Sequence, residues 1–176
     1  MADAVFEPEV SRSIKHLSNN FEIFYPIAIE CKKVSGTSLS FDAVKDHQVQ
    51  ALIDFEFLPF YQKMRVASSI EGQSRFKLDT GFDFLVCPHG KSWLLVNFRS
   101  TKKAAGKEIP KGTNKCFAVS IENFIEGKND LLSAGRKSFP YSWFLNNAME
   151  LERCRWEVKK GYEYGWDLLP LTQLYY

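Results

Sequence analysis

Apolar positions in the first half of the chain change period twice, and those changes locate its first elements. Phe6, Val10, Ile14 and Leu17 recur at helical spacing, with Pro8 where a first turn tolerates proline, so a short helix is predicted from about Pro8 to Ser18. From Phe21 to Val34 the pattern turns extended, and Pro26 marks an edge or a bulge early in the run. Between Ile27 and Lys32 the alternation is strict. Side chains two apart share a strand face, so Ile27, Ile29 and Cys31 are expected on one side and Ala28, Glu30 and Lys32 on the other. After the turn-forming Ser35-Gly36-Thr37-Ser38, helical period returns from Ser40 to Phe55, with Ser40 as N-cap and Asp42 in the first turn. Phe41, Val44, Ala51, Leu52 and Phe55 form its apolar stripe. Gln48 lies on the same stripe, and a core-facing amide requires a hydrogen-bonding partner.

Pro59 interrupts the pattern, and residues 62–70 fit either a strand or an irregular arm. Gly81 to Phe98 reads as a β-hairpin, with strands Phe82–Cys87 and Ser92–Phe98 around Pro88-His89-Gly90. Lys115 to Ile121 reads as a further strand. A long final helix is predicted from about Pro140 to Lys160, stopped by Gly161. The expected class is therefore α/β, a mixed sheet flanked by helices. One domain is expected over residues 1–176, with a core at about 1–127 and a helical extension at about 128–176.

Composition supports one domain, since 176 residues with a 45% hydrophobic fraction suffice for one sizeable core. No run of about 18 apolar residues exists, and Met1-Ala2-Asp3-Ala4 does not begin a secretory signal, so a cytoplasmic protein with no membrane partner is expected. Cys31, Cys87, Cys116 and Cys154 lie far apart and form no C-x-x-C pair. They read as reduced core thiols rather than zinc ligands or disulfides. A net charge of +2 excludes a uniformly basic surface. Between Arg99 and Lys115, however, Lys102, Lys103, Lys107 and Lys111 face only Glu108, which fits a solvated loop and a phosphate-contacting one equally well.

The strongest local constellation is Glu30-Cys31-Lys32, which puts a carboxylate and an ammonium side by side on one strand face. As an exposed ion pair it is worth at most ~1 kcal/mol. As a catalytic pair, Glu30 would hold a divalent cation while Lys32 orients the attacking water or stabilises the charged transition state. A second carboxylate is then needed, and Asp83, between Phe82 and Phe84, is the candidate; otherwise it is an exposed strand acid. Glu7 and Glu9 complement the dipole of the first helix. His16 and His89 read as solvent-facing, and His47, about 100° round the helix from Gln48, faces another way. No phosphate-binding glycine loop, dinucleotide fingerprint or H-E-x-x-H helix is present, which leaves nucleotide hydrolysis, dinucleotide redox and zinc proteolysis without support.

Glu30-Cys31-Lys32, a Gly/Ser turn, and then Ser40-Phe41-x-x-Val44-x-x-His47-Gln48-x-x-x-Leu52 resemble the Holliday-junction resolvase branch of the PD-(D/E)XK nucleases, the RecU-type and related phage enzymes. The likeness continues through Phe82-Asp83-Phe84, Trp93 to Phe98 and Phe117-Ala118-Val119-x-Ile121-x-x-Phe124. The resemblance implies a restriction-endonuclease-like mixed sheet flanked by helices. It implies Mg²⁺ or Mn²⁺ on Glu30 and Asp83, Lys32 and Gln48 beside the reacting group, and Glu9 as a counterpart of an N-terminal helix glutamate. It also implies a homodimer acting on branched DNA in a bacterial cell or a phage context, with Lys102, Lys103, Lys107 and Lys111 on the DNA backbone. The chain departs from the pattern shortly before Glu30, where the metal-binding aspartate usually lies but Ser18-Asn19-Asn20 offers amides and only Glu22 is acidic. A permuted order of active-site strands follows, with Asp83 supplying that acid, as in a small set of phage-like proteins it resembles. A nuclease-fold module that binds DNA or protein without catalysis, and a nuclease for linear or single-stranded DNA, are the competing readings.

Overall fold

The computed structural model describes residues 6–20, 27–58, 60–65, 82–87, 90–99, 109 and 112–173, of which 6, 15–20, 60–65, 82–87 and 173 are described by backbone alone. In chain order the elements are α1 (Phe6–Asn20), β1 (Ile27–Val34), β2 (Ser38–Ser40), a 3₁₀ turn (Phe41–Ala43), α2 (Asp46–Phe57), β3 (Phe60–Arg65), β4 (Phe82–Cys87) and β5 (Lys91–Arg99). They continue with β6 (Asn114–Ser120), α3 (Ile121–Ser133), β7 (Ser138–Pro140), α4 (Tyr141–Asn147), β8 (Met149–Leu151), β9 (Arg153–Val158), β10 (Gly161–Trp166) and α5 (Pro170–Gln173). The class is mixed α/β: a four-stranded mixed sheet in the order β1-β5-β6-β8, flanking helices and three small two-stranded sheets.

β5 is central because its side chains are apolar on both faces, and seven consecutive residues from Ser92 to Phe98 are buried. Its alternation divides the core in two. Leu94, Val96 and Phe98 join Phe117 and Val119 of β6 beneath α2, α3 and α4, where Phe98, Phe117, Tyr141 and Phe144 meet largely edge to face. Trp93 and Leu95 join Cys116, Ala118, Leu151 and Trp166 on the opposite face, which α1 and the C-terminal segment cover.

Several expectations need correcting. β4 pairs antiparallel with β3, with Asp83 opposite Met64, and not with β5. Both edges of β5 are already taken, by β1 in parallel and by β6 antiparallel, so no edge remains for the expected hairpin partner. The long final helix is replaced by β7, the seven-residue α4, β8 and the β9–β10 ribbon. From Arg153 to Val158 exposure alternates with period two, which is a strand pattern. Gly161 has φ 121°, a conformation suited to glycine, where the chain turns between the two strands. Residues beyond 128 are thus not a helical extension: β8 closes the main sheet, and Phe139, Phe144 and Leu171 are fully buried. Among the described side chains of α1, Val10 of the expected stripe is buried beside Glu9 and Ser13, Ile14 departs from it at 46% exposure, and Phe6 and Leu17 lie outside the described side chains. Among the described residues no helix is long and apolar enough to cross a membrane.

Candidate functional site

β1 is the edge strand of the main sheet, with Glu30 beside Leu94 and Lys32 beside Val96. Its alternation is the expected one. Ile27, Ile29 and Cys31 pack into the cluster under α1, and Ala28 into the cluster under α2, which leaves Glu30 and Lys32 on the α2 face. The chain after β1 is pinned before it returns. β2 pairs with β7, the Phe41 N–H donates to the Lys137 carbonyl, the Tyr141 N–H donates to the Thr37 carbonyl, and Phe41 meets Phe139 edge-on at 5.0 Å. α2 then crosses this face with Val44 preceding it and Leu52 buried beneath it. Its C-terminal end is tied to β5: Glu56 pairs with the Lys91 ammonium, accepts from the Ser92 N–H at 3.1 Å, and Ser92 Oγ donates to the Leu52 carbonyl at 2.6 Å.

That placement brings Gln48 onto the two charged groups of β1. Lys32 Nζ lies 2.8 Å from Glu30 Oε1 and donates to Gln48 Oε1 at 3.0 Å. Gln48 Nε2 donates to Glu30 Oε1 at 2.9 Å, and Gln48 Oε1 also accepts the Lys45 N–H at 3.0 Å. The amide has one sensible orientation here. A flip would set its NH₂ against the ammonium and its oxygen against the carboxylate. The three residues form a closed triangle in which each group satisfies the other two. Lys32 and Glu30 keep 18% and 25% of their side-chain surface exposed, so solvent or a ligand reaches them. Among the described residues both contacts to Glu30 fall on Oε1 and none on Oε2.

Behind this triangle, Cys31 faces the other side of the sheet. Burial first, and then the negative charge of Glu30, push its thiol up to about 12. Burial likewise raises the Cys116 thiol well above its ordinary value. Both are free thiols packed in the cluster under α1, as expected of core cysteines.

The remaining candidates fall elsewhere. Glu9 is buried at 6% exposure on the α1 side of the sheet, where Arg153 donates to its Oε1 at 3.1 Å, so it does not join Glu30. Its position inside the first helix's buried face explains that: Val10 beside it belongs to the cluster opposite the Glu30 face. Glu7 and His47 are exposed. Asp83 lies on β4, in the separate β3–β4 sheet, and its side chain is outside the described residues. Lys102, Lys103, Lys107 and Lys111, and His89 with them, are also outside the described residues. Among the described residues no group of three His, Cys, Asp or Glu side chains gathers as a metal cage. The donor chemistry at Glu30 still suits a hard cation, because Mg²⁺ takes one or two carboxylates and fills its other positions with water and phosphate oxygens. Sequence reasoning missed Glu56. The signal was available: Val44, Gln48, Leu52 and Glu56 recur every four residues along one face, so the second polar residue on the stripe demanded a partner as much as the first. Compared with family models, curated proteins and solved structures, the chain has no match.

Proposed function

We propose that this protein hydrolyses DNA phosphodiesters with a divalent metal, at branched, Holliday-junction-like DNA, and that Glu30, Lys32 and Gln48 belong to its active site. The observation carrying the reading is that Gln48, a core-stripe amide, bridges the carboxylate and the ammonium of Glu-x-Lys. An ion pair needs no such bridge to exist at a surface. A site that must hold both groups in one geometry does. Mg²⁺ or Mn²⁺, bound by Glu30 and Asp83, would supply an activated water and an electrophile for the phosphoryl oxygens. Glu30 presents Oε2 as a ligand while Oε1 stays anchored. Lys32 places a positive charge where the phosphate gains negative charge, and Gln48 prevents both side chains from changing rotamer. The corresponding architecture is a restriction-endonuclease-like sheet with the active-site strands in permuted order, working as a homodimer for paired cuts.

The test is cleavage of a labelled four-way junction beside a linear duplex of the same sequence, with Mg²⁺, Mn²⁺ or EDTA. Metal-dependent cutting of the junction, lost in a folded Asp83→Asn variant, is the expected result. Cutting that survives Asp83→Asn unchanged would remove Asp83 from the site.

A second reading has one observation in its favour. Gln48 Oε1 also accepts the Lys45 N–H at the start of α2, a capping interaction that serves the helix itself. On that reading the triangle ties α2 to β1 in a nuclease-like module that binds DNA or protein without cutting. Junction binding without cleavage under every metal condition would favour it.

A further inference from the structure

The outward face of the β9–β10 ribbon carries rings and guanidinium groups in register, outside the Glu30 site. β9 exposes Arg153, Arg155 and Glu157 and turns the residues between them inward. Across the antiparallel pairing, Trp166 faces Arg153, Tyr164 faces Arg155 and Tyr162 faces Glu157, so these residues share one side, whose Trp166–Arg153 end is closed by the core and by Glu9 of α1 while the Tyr164, Arg155 and Tyr162 end is open. Tyr162 is 54% exposed and Tyr164 41%, an unusual exposure for neighbouring rings on a short ribbon. The Arg155 guanidinium lies 4.3 Å from the Tyr162 ring centre, and that of Arg153 lies 5.3 Å and 5.7 Å from the rings of Tyr164 and Trp166. Lys159 and Lys160, both exposed, form the tip.

α1 anchors the ribbon along the outer edge of β10. Ser13 of α1 accepts the Trp166 N–H at 2.7 Å, and Arg12 Nε donates to the Tyr164 carbonyl at 3.2 Å. A Cβ on Gly165 would stand 2.4 Å from Ser13 Oγ, so glycine is what lets α1 approach this closely. The ribbon is therefore fixed along β10 at Trp166, Gly165 and Tyr164, while the rings of Tyr162 and Tyr164 stay exposed.

Charge decides what fits that face. Among the described residues of the ribbon, Arg153, Arg155, Lys159 and Lys160 stand against Glu157 alone on the outward side and tip, although Arg153 gives one donor to Glu9. Stacking occupies the flat face of a guanidinium and leaves its N–H donors along the edge, where they match phosphate oxygens. Exposed rings offer the complementary half, because every nucleobase has a face to stack, whereas a duplex keeps those faces covered. We propose that the β9–β10 ribbon binds single-stranded nucleic acid, with bases stacked on Tyr162 and Tyr164 and phosphates held by Arg155, Lys159 and Lys160. This contact does not depend on whether the Glu30 site cuts anything.

The test uses the full chain and a labelled oligothymidylate, with binding read by fluorescence anisotropy in EDTA so that no cleavage contributes. Tyr162→Ala is expected to weaken binding about tenfold, while Tyr162→Phe, which keeps the ring, stays within about twofold of the parent. Arg155→Ala is expected to weaken binding and reduce the slope of log affinity against log salt by about 0.7. A duplex of equal length should respond to Tyr162→Ala by less than about twofold, since it offers no free base face. Should Tyr162→Ala fail to fold by circular dichroism, charge reversal of Lys159 and Lys160 at the exposed tip replaces it, with the same expected loss. No binding by the parent, unchanged binding in folded Tyr162→Ala and Arg155→Ala, or equal loss in Tyr162→Phe would overturn the proposal.

Discussion

The two ends of α2 reach the main sheet through the same kind of interaction and end in different states. At the C-terminal end Glu56 is 4% exposed and uses both carboxylate oxygens, Oε1 on Lys91 and Oε2 on the Ser92 N–H. At the N-terminal end Glu30 is 25% exposed, and among the described residues its contacts to Lys32 and Gln48 both fall on Oε1. A carboxylate whose oxygens are both occupied and buried can fix a helix but has nothing to offer a ligand. One with an oxygen to spare and an open side can do both. On the proposed reading, Glu30 and Glu56 differ in saturation and access rather than in distance.

The largest expected effect on stability comes from breaking the saturated end. Glu56→Ala strands the Lys91 ammonium and the Ser92 N–H and should lower unfolding stability by about 3 kcal/mol, measured by urea denaturation at neutral pH. A loss under about 1 kcal/mol would mean that the buried end is not the stronger tie.

At the open end the signs should separate. Gln48→Leu fills a core-stripe position with an apolar side chain, so stability should change by no more than about 1 kcal/mol. Junction cleavage should nevertheless fall roughly 10- to 100-fold, because Lys32 and Glu30 lose the group that holds them together. Equal loss of stability and activity would make the triangle a structural tie like Glu56.

The smallest effect concerns the strand's other face. Cys31 is pushed up to about 12 from an ordinary 9.0, so the folded state keeps its proton while the unfolded chain releases it. Because the folded value is the raised one, this contribution is complete below pH 9 and is lost progressively as pH rises from 9 towards 12. Thermal unfolding between pH 8 and about 10.5 should therefore decline less steeply for Cys31→Ala than for the parent. Identical slopes would show that Cys31 is not shielded behind Glu30.

Much of this contrast was legible in residues, and the rest was hidden for identifiable reasons. Strict alternation from Ile27 to Lys32 assigned Glu30 and Lys32 to one face, and the placement of Gln48 on an apolar stripe called for a hydrogen-bonding partner without saying where, which β1 supplies. Both signals are local. The partner of β4 was not, because strand pairing depends on which edges are free, and Phe82–Cys87 looks the same beside β3 as beside β5. The expected helix from Pro140 to Lys160 does begin as one, but α4 ends at Asn147 after seven residues and the chain then turns extended. Glu9 misled differently. Its acid looked available in a first helical turn, but Arg153, 144 residues later, claims it.

The most direct test of the central claim is the cleavage rate of Lys32→Ala on a labelled four-way junction with Mg²⁺ or Mn²⁺, with its unfolding midpoint measured in parallel. The account predicts a loss of about 10²- to 10³-fold, the cost of removing one preorganised charge from a transition state, with stability changed by less than about 1 kcal/mol. A parent protein that cuts no junction under either metal, or a folded Lys32→Ala variant that cuts at the parent rate, would contradict it.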